Sequence, residues 1–114
     1  MATIREISET FSKGKFNETY AFFANDVCWN IIGDKKIIGK ENVVEYCNKM
    51  QLEIGKTVLN NLQIIEDKNC VAINGFCEYV NETKLPGKVE YCDVYTFEEL
   101  QLKEINSYRI DVKI

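Results

Sequence analysis

Histidine is absent from all 114 residues. Its absence removes Ser-His-Asp and Cys-His catalysis, histidine-ligated zinc and proximal-histidine haem. Proline occurs once and glycine six times, and no linker or internal repeat divides the chain. Neither Gly-x-x-x-x-Gly-Lys-Ser/Thr nor Gly-x-Gly-x-x-Gly is present, so nucleotide-loop chemistry lacks its phosphate cradle. No apolar run approaches the roughly 20 residues of a bilayer span. The N-terminal residues Met1 to Ile7 carry charges where an export signal has its apolar segment. Basic residues are outnumbered 14 to 18, for a net charge of −4, and no basic cluster exceeds Lys35-Lys36. Nucleic acid is therefore excluded as an expected partner, and so is a membrane.

What remains is the composition of one folded domain, expected over residues 1–114: 46% apolar and 28% charged residues. Five cysteines, Cys28, Cys47, Cys70, Cys77 and Cys92, form no Cys-x-x-Cys pair. Most lie in apolar-alternating stretches, where a free thiol acts as a small hydrophobe. A reduced cytoplasmic location and no metal are expected.

Helical spacing comes first. Ile4, Ile7 and Phe11 recur at three and four residues, and Gly14 suits the left-handed position that ends a helix. Phe16, Tyr20 and Phe23 continue on a second helix. Val27–Ile32 reads as a strand, Gly33-Asp34 as a turn and Lys36–Gly39 as a short return strand. Val43, Cys47, Met50 and Ile54 then share a helical face, with Gly55 at its end. Four period-two stretches follow: Thr57–Glu66, Cys70–Val80, Val89–Phe97 and Leu102–Val112. Tight hairpins are expected at Asp67-Lys68-Asn69 and Glu98-Glu99, and a longer one at Asn81–Lys88. Helices followed by a strand meander predict an α+β fold, an antiparallel sheet curled around three helices and open at one end.

The chain resembles the nuclear transport factor 2-like superfamily, and its small SnoaL-like members in particular. The resemblance rests on Phe11-Ser12-Lys13-Gly14-Lys15-Phe16, Phe23 to Trp29, Ile37 to Val43, Cys92 to Phe97 and Ile105-Asn106-Ser107-Tyr108. It implies a cone of curved sheet around three helices, frequently a homodimer through the sheet. The superfamily's activities include isomerisation, cyclisation, dehydration and epoxide hydrolysis. Its isomerases keep a buried acid where this chain has Asp93, but their tyrosine and aspartate positions fall at about Ile7 and Ile31. Two aliphatic residues there argue against steroid isomerisation by that mechanism.

Asp93 is the candidate catalytic residue. It shares a strand face with Val89, Tyr91, Tyr95 and Phe97, and a carboxyl among aromatic rings loses hydration, which favours its neutral, proton-donating form. A second reading stays open: Arg109, on the neighbouring strand, pairs with Asp93 and holds it ionised. Glu78 is also open. Alternation puts Cys77 and Tyr79 inside and Glu78 outside, whereas a one-residue slip would bring Glu78 in beside Asp93. Tyr20, Trp29, Ile31, Tyr91 and Tyr95, with Glu78 or Arg109, are the expected pocket residues. Cys77 and Cys92 have no neighbour that would activate a thiol. The function expected is binding of a small apolar or aromatic organic ligand. Cofactor-independent acid/base chemistry at Asp93 would accompany it, or else the domain only binds or dimerises.

Overall fold

Thr3 opens the first helix by accepting the Glu6 backbone N–H at 3.1 Å, while its hydroxyl lies 3.0 Å from the Glu6 carboxylate. This Thr-x-x-Glu arrangement satisfies an amide that a helix start otherwise leaves open. In the computed structural model, which describes residues 3–54, 57–80 and 86–112, helix α1 spans Ile4–Ser12. Gly14 ends it at φ 86°, with Lys15 N–H bonded to Thr10 O and Gly14 N–H to Phe11 O. That paired closure needs a left-handed residue at Gly14.

The expected second helix is a 3-10 helix over Phe16–Phe22. Strand β1 (Phe23–Ile31) starts four residues before the expected Val27 and is followed by β2 (Lys35–Ile38) and helix α2 (Lys40–Ile54). Gly55, the expected end of α2, lies outside the described residues. The meander comprises β3 (Leu59–Asp67), β4 (Cys70–Val80), β5 (Pro86–Glu98) and β6 (Gln101–Val112). Most of the long hairpin, residues 81–85, lies outside the described residues, and Pro86-Gly87 belong to β5.

The six strands form one sheet in the order β2-β1-β6-β5-β4-β3. The sheet is mixed: β1 and β6 run parallel, and every other pair is antiparallel. The parallel pair arises because β3 to β6 form a continuous meander that returns the chain to the free edge of β1. The sheet is curved rather than closed, and its inner face packs on the helices.

The core lies between these layers. Ile7 and Phe11 from α1, Val43 and Cys47 from α2, and Val27, Trp29, Ile73, Tyr95 and Ile105 from the sheet are all at most 3% exposed. Phe11 is the aromatic centre, with ring centroids 4.7 Å from Phe16, 5.3 Å from Trp29 and 5.7 Å from Tyr95. Edge-on and tilted contacts of this kind add to the area term.

Candidate functional site

Directly paired residues on neighbouring strands share a sheet face, so the ladder register determines what surrounds Asp93. Its row reads Ile73, Asp93, Ser107 and Ile31 across β4, β5, β6 and β1. One row outward come Asn61, Gly75, Tyr91 and Arg109. One row inward come Val71, Tyr95, Ile105 and Trp29. Asp93 therefore stands with a tyrosine two residues away on either side and an isoleucine and a serine opposite.

This inner face, with α1 and α2, encloses a cavity of about 250 Å³. Aromatic walls come from Phe11, Phe16, Trp29, Tyr91 and Tyr95, and Met50, Leu59 and Val89 add apolar surface. Asp93, Ser12, Arg109 and Glu53 supply polar groups, and Cys77 and Tyr79 complete the β4 side. A mostly apolar concavity with few polar groups is the usual form of a small-molecule site.

Asp93 keeps partial contact with the cavity space, yet protein surrounds it closely enough that burial raises its carboxyl above the ordinary 3.8. The neighbouring Ser107 hydroxyl and the Arg109 charge act the other way without reversing the shift. The Ser107 hydroxyl itself accepts the Trp29 indole N–H at 2.8 Å. Ser107 thus ties the Trp29 indole to the wall directly beside Asp93. Among the described residues no ion pair joins Asp93 to Arg109, and Arg109 lies exposed on its strand. Of the two sequence readings of Asp93, the desolvated one fits this geometry.

A second polar group occupies the wall. Tyr91 donates to Asn61 Oδ1 at 2.7 Å, and Ser12 donates to the same atom at 2.9 Å. Gly75 makes this possible: a Cβ there would stand 2.6 Å from the Tyr91 hydroxyl and collide with the Asn60 carbonyl. Burial and the neighbouring Asp93 push the Tyr91 phenol up to about 12. Tyr95 is fully buried, and its phenol is raised well above 10.0 by burial first and Asp93 second. Its hydroxyl lies close to Ser12 without hydrogen-bonding geometry to it and finds no partner among the described residues, nor does Asn61 Nδ2.

Five of the expected site residues line the cavity: Trp29, Tyr91, Asp93, Tyr95 and Arg109. Three do not. Tyr20 packs edge-on against Phe23 at 5.5 Å and donates its hydroxyl to Asn48 at 2.7 Å, so it braces the helices. Ile31 is 7% exposed in the core beside Ser107 and does not line the cavity. Glu78 is exposed on the outer face opposite Lys88. The alternation that put Cys77 and Tyr79 inside is the register found.

Ser12, Asn61, Gly75 and Ser107 were not expected from the sequence. Burial raises the Cys77 and Cys92 thiols, which disfavours the thiolate form. No group of three or more His, Cys, Asp or Glu side chains suited to a metal ion occurs among the described residues. No described helix is long and apolar enough to cross a membrane.

No protein-family model and no curated protein matches the sequence. Solved structures do. A nuclear transport factor 2-like protein of unknown function from Cytophaga hutchinsonii is 40% identical, with a TM-score of 0.91 over 96% of this chain and 99% of that one. A provisionally named SnoaL-like polyketide cyclase from a Jannaschia species superposes with a TM-score of 0.79 at 7% identity, covering 93% and 84% of the two chains. The epoxide hydrolase/cyclase-like enzyme SalBIII, with a role in pyran ring formation in the polyether salinomycin, gives a TM-score of 0.68 at 15% identity, over 94% and 84%. The last two likenesses concern the fold alone.

Proposed function

Because the chain belongs to the nuclear transport factor 2-like family, we propose that its cavity binds a small apolar or aromatic organic molecule and that Asp93 acts on it as a cofactor-independent acid/base. The observation that carries this reading is a carboxyl group raised by burial, inside an aromatic-walled cavity, with no cationic partner in ion-pairing distance among the described residues. A neutral carboxyl donates a hydrogen bond or its proton to a ligand oxygen. The carboxylate left behind takes a proton from the ligand or from an attacking hydroxyl, so the group ends as it began. Isomerisation, cyclisation, dehydration and epoxide hydrolysis all fit this exchange. The fold-level likeness to SalBIII and to a provisionally named polyketide cyclase is in keeping with it.

The test is a screen of small cyclic ketones, enones, esters and epoxides for turnover, repeated with Asp93→Asn. A catalytic Asp93 is expected to lose about 100-fold or more of its rate on substitution. Unchanged turnover in the variant would remove Asp93 from the chemistry.

A second reading has its own support: a binding module that dimerises through the sheet. Tyr108, Ile110 and Ile65 are 45%, 67% and 61% exposed, and all three project from the outer sheet face. We infer a second copy of the chain as the occupant of that face. A sedimentation mass of one chain at micromolar concentration would contradict it. Five unpaired thiols suit a reducing compartment, and on that ground we place the protein in the cytoplasm.

A further inference from the structure

We infer that the cavity takes a planar organic carboxylate of one or two rings, with its carboxylate at Arg109 and a second, oxygen-bearing end at the buried Tyr95 hydroxyl. The inference rests on reading the cavity as a ligand site and adds the class of ligand.

The two anchors stand at opposite depths. Arg109 lies at the exposed mouth, in register with Tyr91, and Tyr95 lies four residues further along β5 with no exposed surface. Four residues of extended strand separate their levels by about 13 Å at the backbone. Between the anchors lies the row of Asp93, and Phe11, Phe16 and Trp29 wall the deep end around Tyr95, where they suit a flat ring face.

Each anchor is chemically incomplete. Among the described residues no carboxylate pairs with Arg109, although Glu53 also lines the mouth. A guanidinium offers a planar fork of donors that matches a carboxylate edge to edge. The Tyr95 hydroxyl is buried without a hydrogen-bond partner among the described residues. A buried orphan of this kind is costly, and a ligand oxygen seated on it removes the cost. Ser12 lies nearby, but no hydrogen bond joins it to that hydroxyl. The cavity volume of about 250 Å³ lies at or just below the smallest ordinary ligand pockets, which limits the occupant to about one or two rings.

The test is isothermal titration calorimetry at pH 7 with 4-hydroxybenzoate, benzoate, 4-hydroxybenzamide and phenol. The expected order places 4-hydroxybenzoate at least about tenfold tighter than 4-hydroxybenzamide. Arg109→Gln is expected to abolish that carboxylate preference, and Glu53→Gln to strengthen it. Tyr95→Phe is expected to remove the advantage of 4-hydroxybenzoate over benzoate while keeping the preference for a carboxylate. Circular-dichroism melting of each variant establishes that it is folded. An amide binding as tightly as the carboxylate, or a preference that survives Arg109→Gln, would overturn the inference while leaving the ligand site itself in place. Failure of all four probes would overturn the inference too. The acid/base reading would then still be tested separately, by turnover in the substrate screen with Asp93→Asn.

Discussion

Asp93 and Ser107 face each other across β5 and β6 because of a register shift between Thr96 and Phe97. At the tip of the hairpin Glu98 pairs with Gln101 and Phe97 with Leu102, whereas beyond the shift Thr96 pairs with Glu104. The extra residue on β6 turns Ser107 to the inner face, where it receives the Trp29 indole and stands beside the carboxyl. A bulge has this effect wherever it occurs, since one inserted residue exchanges the two faces of a strand.

Removing that hydroxyl has two readable consequences. In Ser107→Ala the Trp29 N–H loses its acceptor inside the core, at an expected cost of about 1–3 kcal/mol in urea unfolding. The Asp93 carboxyl loses a neighbouring hydroxyl that lowers it, so its titration by carboxyl-carbon NMR is expected to move further up.

Asp93 also sets a sign for stability against pH. Its carboxyl holds a proton more tightly in the folded chain than at its ordinary value of 3.8. Above 3.8, and up to the raised value, the folded state binds more protons than the unfolded one, so stability falls as pH rises through that window. Below 3.8 its contribution is fully present. Asp26 has the opposite sign: its hydrogen bonds to Lys103 at 2.7 and 2.8 Å lower it, so its contribution is present above 3.8 and lost as pH falls. Asp93→Asn is expected to flatten the fall above 3.8 and leave the acid limb unchanged, as urea midpoints across pH would record.

Gly75 is expected to tolerate no side chain. Gly75→Ala drives a methyl group into the Asn60 carbonyl and to 2.6 Å from the Tyr91 hydroxyl. A loss of about 1–3 kcal/mol is expected from this overpacking. Tyr91→Phe, which removes only the hydrogen bond to Asn61, is expected to cost about 0.5–1.5 kcal/mol. The two thermal melts separate the steric part from the polar part.

Glu78→Gln is the control. Its side chain is exposed on the outer sheet face, so stability is expected to stay within about 0.5 kcal/mol of the parent chain, and any turnover found in the parent is expected to persist.

The α+β order, the position of α2, the tight hairpins and the inward face of β5 were legible from period and turn residues, because a half-buried strand has to alternate. The parallel β1–β6 pair was not, since nothing local to either strand records how a meander closes on its first edge. Asn61 and Ser107 were hidden for a related reason. Asn61 faces inward opposite Gly75 because β3 carries an irregularity between Asn61 and Gln63, and neither bulge has a marked residue. Asp93, where the resemblance put an acid, is one of the residues lining the cavity. Ile31 lies in the core, and Tyr20 is drawn to Asn48 by a hydrogen bond that helical spacing does not encode.

The most direct measurement is the titration of the Asp93 carboxyl itself, by carbon-13 NMR or by its infrared carbonyl band, with Asp93→Asn as the assignment control. A midpoint clearly above 3.8, with a protonated carbonyl band persisting where exposed aspartates have lost theirs, is the expected result. A midpoint at or below that value would mean a hydrated or ion-paired carboxylate and would contradict the dry acid on which the proposed chemistry depends.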